Sequence, residues 1–160
     1  MKISNTGAEY NNDSHTIYVP VLLSGVPDEH LGLQKKDDFH VSLVCMRKIE
    51  ERLGIALPQE EVVERFDRYY SGVQIGCTLS SAWLRVKDGE DESIVVCCNI
   101  QGLDGFFEQM RSAYDTRIQN QPAHITVFTK RKNKGIWLID ESDITAKCTH
   151  VDTLPEVTLQ

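Results

Sequence analysis

Ala123-His124-Ile125-Thr126-Val127-Phe128 and, much earlier, Phe39-His40-Val41-Ser42-Leu43-Val44 share one form. Each is an apolar run broken by a histidine, then one apolar residue, then a hydroxyl. Successive side chains of a β-strand point to opposite faces. Read as strands, the earlier stretch puts His40 and Ser42 on one face and Phe39, Val41 and Leu43 on the other. The later one puts His124 and Thr126 together, opposite Ala123, Ile125 and Val127. Each strand would pack one side on a core and offer an imidazole and a hydroxyl on the other. Side by side, the two strands would bring two imidazoles and two hydroxyls to one spot. That set suits a phosphate undergoing proton-coupled displacement.

Outward from these stretches, residues 1–14 read as polar and irregular, with Asn11-Asn12-Asp13 as turn material. His15 to Leu23 reads as a strand, with Pro20 pushing it toward an edge or a bulge. Residues 24–38 hold Gly25, Pro27, Gly32 and the charged run Lys35-Lys36-Asp37-Asp38, and read as a loop. The first motif strand covers about 39–45. A short helix follows, Arg47 to Leu53, with Gly54 as its C-terminal cap. Pro58 suits the start of the next helix and Glu60 and Glu61 its first turn, and Val62, Val63, Phe66, Tyr69 and Tyr70 form its apolar stripe. Residues 77–87 and 93–100 read as a hairpin about Asp88-Gly89-Glu90-Asp91. A third helix is expected over 103–118, from the spacing of Phe106, Phe107, Met110, Ala113, Tyr114 and Ile118. Asn120-Gln121-Pro122 breaks the chain before the second motif strand, about 123–129. A basic turn, Lys130 to Gly135, leads to Ile136–Ile139. A last strand is expected from Ile144 to Val151, and the final residues look frayed.

Strands and helices do not alternate regularly, and no G-x-G-x-x-G or G-x-x-x-x-G-K-[ST] loop is present. That argues against a nucleotide-binding parallel sheet and for an α+β fold with antiparallel sheets and flanking helices. Each half carries a motif strand and an amphipathic helix, so the pattern allows a two-lobed molecule with an internal pseudo-twofold. The 160 residues suit a single two-lobed domain over 1–160.

A net charge of −7 excludes a general binder of long duplex nucleic acid held by phosphate neutralisation. A small or short substrate in a local basic pocket fits the charge better. No apolar run reaches the length of a membrane-spanning helix, so no membrane partner is expected. Met1 to Asp13 lack the apolar centre of a secretory signal, so a cytoplasmic location is expected. The five cysteines, Cys45, Cys77, Cys97, Cys98 and Cys148, include one adjacent pair and no C-x-x-C. They make a poor disulfide framework and a poor zinc site, and read as reduced residues of apolar strands.

The two motifs resemble the paired H-x-[ST] motifs of the 2H phosphoesterase superfamily, which includes the RNA-ligase-like and 2′,3′-cyclic nucleotide phosphodiesterases. The run His124-Ile125-Thr126-Val127-Phe128-Thr129, followed by Gly135-Ile136, is also similar to a bacterial, RNA-repair-like branch. Ser42 stands where many members have Thr and keeps the hydroxyl. The resemblance spans most of the chain. It implies a bilobal α+β fold around a central cleft and metal-independent phosphodiester chemistry with no cofactor. His40 and His124 would be the catalytic acid–base pair, and Ser42 and Thr126 would bind the phosphate. The substrate would be a 2′,3′-cyclic phosphate, a 2′–5′ linkage or a related small nucleotide or RNA end. Imidazole titrates near ~6.5, so one histidine can be neutral while its partner is protonated. Which is the base is open at this point.

Three further groups are weighed. The basic Lys130–Lys134 turn directly follows the second motif, which puts a side chain within reach of the phosphate, but it reads first as a solvated charged hairpin turn. Trp83, Trp137, Tyr10 and Tyr18 are aromatics able to stack on a base, but single aromatics in strands read first as core or sheet-face packing, and none is assigned to a base. Asp140, Glu141 and Asp143 sit without a nearby histidine, so no metal site is expected there. Three other readings stay open: a cleft that binds a nucleotide or RNA end without turnover, a hydrolase of cyclic oligonucleotide signals, and a structural or interaction domain whose histidines are surface residues.

Overall fold

The computed structural model describes residues 1–132, 134–136, 138 and 140–160. In chain order its elements are β1 (Glu9–Asn11), β2 (Thr16–Val21), β3 (Leu23–Ser24), β4 (Glu29–His30), β5 (Leu33–Lys35), β6 (Phe39–Cys45), α1 (Met46–Leu53), α2 (Gln59–Tyr70), β7 (Cys77–Asp88), β8 (Asp91–Ile100), α3 (Leu103–Ala113), β9 (His124–Thr129), α4 (Glu141–Lys147), β10 (Cys148–Val151) and β11 (Thr158–Leu159). The class is α+β. One antiparallel sheet runs β1-β2-β6-β9-β8-β7-β10. The two motif strands, β6 and β9, are neighbours at its middle. β5 also pairs with β9, and β4 with β5. β11 and β3 form a separate two-stranded sheet.

The alternation in the motif stretches decides which face is core. Val41, Ile125, Val96 and Trp83 are register partners in turn across four strands, and all are buried. They belong to one large apolar cluster with Phe66 of α2 and Phe106, Phe107 and Met110 of α3. Phe66 and Phe106 meet edge to face at 5.1 Å. Burying each such side chain contributes roughly 1.5–3 kcal/mol, so the helices are held to this face by the stripes read from their spacing. The adjacent rung, Tyr18-Ser42-His124-Cys97, therefore points to the opposite face. There Leu84, Val86 and Val95 pack against Ile136 and Leu138, and toward β2 and β6 the face stays open.

Several expectations change. Residues 24–38 are not wholly a loop: β4 and β5 lie within them. Residues 1–14 contain β1, although Asn11 does make the expected turn, its Oδ1 accepting from the Asp13 and Ser14 N–H groups. The third helix stops at Ala113 rather than 118, because Asp115 turns back to accept the Arg117 N–H and Ile118 is buried from a loop. The strand expected from Ile144 begins only at Cys148. Before it, Asp140 caps α4 by accepting the Ser142 N–H at 2.9 Å. The end of the chain is not frayed, since β11 pairs with β3. Of the segment Ile136–Ile139, Trp137 and Ile139 lie outside the described residues, and Ile136 and Leu138 are not in a strand. All five cysteines are free, Cys45 buried and the others half-buried. No helix among the described residues is long and apolar enough to cross a membrane.

Candidate active site

Ser42 and His124 are direct partners across the β6–β9 ladder, and Pro20 and Tyr18 of β2 sit opposite His40 and Ser42. His40, two residues from Ser42, is the diagonal neighbour of His124. Diagonal neighbours of a regular ladder lie roughly 7–8 Å apart, within reach of long side chains. His40, Ser42, His124 and Thr126 all line one cleft of about 630 Å³. The structure thus brings the four residues of the two motifs together.

The ladder between β6 and β9 is short, with partners only at Val41–Ile125 and Ser42–His124. Beyond it β9 pairs instead with β5, at Phe128–Lys35 and Thr129–Gln34. The link from β5 to β6 enters where the motif strands part, and the Lys36 N–H bonds the Val127 carbonyl at 3.0 Å. Lys36 is half-buried and lines the cleft with Asp38. Among the described residues it makes no ion pair, whereas Lys35 pairs with Asp28. The sequence marked this run as charged but not which of its two lysines turns inward.

Burial and the nearby Lys36 charge set the electrostatics. Desolvation, then Lys36 and His124, push the His40 imidazole down to about 4, against a weak opposing pull from Asp38. Burial lowers His124 as well, Lys36 adds to the effect, and a hydrogen bond to Pro122 opposes it. Burial lowers Lys36 itself, with Asp38 opposing. Both shifts favour the uncharged form of the imidazoles at neutral pH. Nδ1 of His124 lies 2.7 Å from the Pro122 carbonyl. A carbonyl only accepts, so Nδ1 carries the hydrogen and Nε2 is the nitrogen with a free lone pair in the neutral ring. The Tyr18 ring meets His40 edge-on at 5.3 Å. Gly135 crosses over Thr126 so closely that a Cβ there would sit 3.3 Å from both Cγ2 and Oγ1 of Thr126.

The other candidates fall elsewhere. Arg131 and Lys134 of the basic turn pair with Asp91 and Lys132 with Asp37, and none of Lys130, Arg131, Lys132 or Lys134 lines the cleft. Trp83 is buried in the main core, and Tyr10, also buried, bonds Gln59. Tyr18 is in the cleft, and Trp137 lies outside the described residues. Asp140 caps α4 and pairs with Arg52, as does Asp143. Among the described residues no three His, Cys, Asp or Glu side chains group to hold a metal ion. Comparison with protein-family models, with curated proteins and with solved structures finds no match to this chain.

Proposed function

We propose that the chain is a 2H-type phosphodiesterase that cleaves a small nucleotide phosphodiester with His40 and His124 as its acid–base pair. The observation that carries this reading is the convergence of both H-x-[ST] motifs on one cleft that the half-buried Lys36 also lines. In this reading β1–β2–β6 and β9–β8–β7–β10 are the two pseudo-twofold lobes around the cleft, joined through the β6–β9 ladder.

The charge balance has a consequence for the mechanism. Two neutral imidazoles supply a base but no acid. A bound diester brings a negative charge into a cleft of low dielectric, which raises the affinity of a neighbouring imidazole for a proton. Substrate thereby recruits the proton that the acid needs. The neutral imidazole takes the proton of the attacking hydroxyl or water as its oxygen bonds to phosphorus. The protonated imidazole gives its proton to the leaving ribose oxygen as that P–O bond breaks. After the step the pair has exchanged protonation states. Ser42 and Thr126 hydroxyls and the Lys36 ammonium would donate to the non-bridging oxygens, where negative charge accumulates.

The test is hydrolysis of 2′,3′-cyclic nucleotides, 2′–5′ dinucleotides and cyclic dinucleotides in EDTA, beside His40→Ala and His124→Ala. Turnover in EDTA that both substitutions abolish is the expected result. Activity that survives both would refute the two-histidine mechanism. A second reading, a cleft that binds without turnover, draws on the depressed imidazoles, which start without an acid. It predicts tight nucleotide binding with no product at any pH.

A further inference from the structure

The cleft continues on both sides of the histidine pair. Along β2, Tyr18 and Pro20 mark the catalytic rows, opposite Ser42 and His40. Lining residues extend from there toward the β1–β2 turn, through Thr16 and Ser14 to Asn11, and the other way through Val21 and Leu22. Phe39, the register partner of Val21, lines the second end. The strand from Thr16 to Val21 alone runs roughly 17 Å at about 3.3 Å per residue. The two ends differ in chemistry. The first offers a hydroxyl and an amide rim at Ser14 and Asn11. The second is apolar, with Pro20 and a Leu22 side chain that is 70% exposed, at the edge of the cleft where Val21 and Phe39 turn their side chains to the main core.

A 2′,3′-cyclic phosphate has both ester oxygens on one ribose, so its nucleoside lies on one side of the phosphorus only. An internal linkage has its ester oxygens on two sugars, with a unit on each side. Building on the phosphodiesterase reading, we propose that the substrate is an internal diester joining two nucleoside units. One rests against Pro20 and Leu22, and the other against Ser14 and Asn11. A mononucleotide closed on itself would leave one end of this cleft solvated.

The experiment compares 2′–5′, 3′–5′ and cyclic dinucleotides with a 2′,3′-cyclic mononucleotide of the same base, using the full chain and two variants. Leu22→Glu puts a charge at the apolar end, at a side chain already in solvent. Ser14→Tyr fills the other end, while the turn's bonds use the Ser14 backbone. Ser14→Gln replaces it should the tyrosine variant not fold. The best dinucleotide is expected to have a kcat/KM at least about tenfold above the mononucleotide. Each variant should raise its KM about fivefold or more with kcat kept, and only one of the two should change KM for the mononucleotide. A mononucleotide cleaved as well as any dinucleotide, in a His40-dependent way, overturns the two-sided substrate and leaves the phosphodiesterase reading intact. So do two variants that leave the dinucleotide KM unmoved. If nothing turns over, the activity reading has failed, and the same ligands are read by equilibrium binding. Dinucleotide binding that is tighter than the mononucleotide's and weakened by both variants supports the proposal; equal binding, or none, overturns it.

Discussion

Lys36 donates its backbone N–H to the Val127 carbonyl, which ties the loop before one motif strand to the interior of the other. This bond sits where β9 leaves β6 for β5, and it carries a half-buried ammonium to both imidazoles. Lys36 lowers the proton affinity of each histidine, so its removal has a signed effect. Lys36→Met should move the acid limb of the pH–rate profile, and the imidazole titrations seen by NMR, to higher pH. It should also lower kcat/KM roughly tenfold to a hundredfold, the range of about 1.5–3 kcal/mol for a lost charge-assisted hydrogen bond. A profile that keeps its position would show that Lys36 is remote from the histidines.

Lys36 and the motif residues differ in how much of their placement is local in sequence. The face on which each motif side chain lies follows from alternation alone: Val41 and Ile125 joined the apolar cluster, while Ser42 and His124, also buried, line the cleft on the other face. The hairpin around Gly89 was equally legible, since a charged glycine turn between apolar runs is a local signal. Sheet order is not local. Nothing in the run Lys35-Lys36-Asp37-Asp38 reveals that β5 pairs with the far end of β9, and that pairing alone points Lys36 inward and Lys35 to Asp28. The stretch before Cys148 failed for a related reason. Ile144 and Thr145 favour a strand, but the Asp140 cap and the Arg52 contact favour a helix, and Arg52 is far away in sequence.

The depressed histidines also make stability depend on pH. In the unfolded chain an imidazole takes up its proton near ~6.5, whereas in the fold His40 resists it down to about 4. Between these values the unfolded state binds more protons, so stability falls as the pH falls. The loss should start below about pH 6.5 and be complete near pH 4. For His40 it amounts to roughly 3 kcal/mol at most. Urea denaturation of the wild type and of His40→Gln from pH 7.5 to 4.5 checks this. The variant should lose less stability across that window, and parallel curves would remove His40 as the cause.

Asp140 does two jobs that separate by substitution. Its carboxylate caps α4 and also pairs with the Arg52 guanidinium of α1. Asp140→Ala should destabilise the chain by about 1–2 kcal/mol, the usual cost of a lost cap, with Arg52 left to Asp143 alone. Asp140→Asn keeps an acceptor for the Ser142 N–H and should cost less. Chemical denaturation of the two variants decides which contact matters. An asparagine as costly as the alanine would assign the stability to the ion pair.

Gly135 needs no unusual backbone angle; what excludes a side chain there is Thr126. A methyl at 135 would press on Cγ2 and Oγ1 of Thr126 at 3.3 Å. Overpacking of this kind typically costs 1–3 kcal/mol. The strain would fall on the hydroxyl proposed to hold the phosphate. Gly135→Ala should therefore lower kcat by about five- to tenfold. Thr126→Ser keeps the hydroxyl and removes the crowding methyl, so the double variant Gly135→Ala/Thr126→Ser should recover most of that loss. The two substitutions must then be non-additive, with a coupling of roughly 1 kcal/mol in the transition-state free energy. Additive effects would mean that Gly135 acts elsewhere in the cleft. Recovery would tie the segment after β9 to the position of the Thr126 hydroxyl, and so explain why a residue with no side chain lines the cleft at that point.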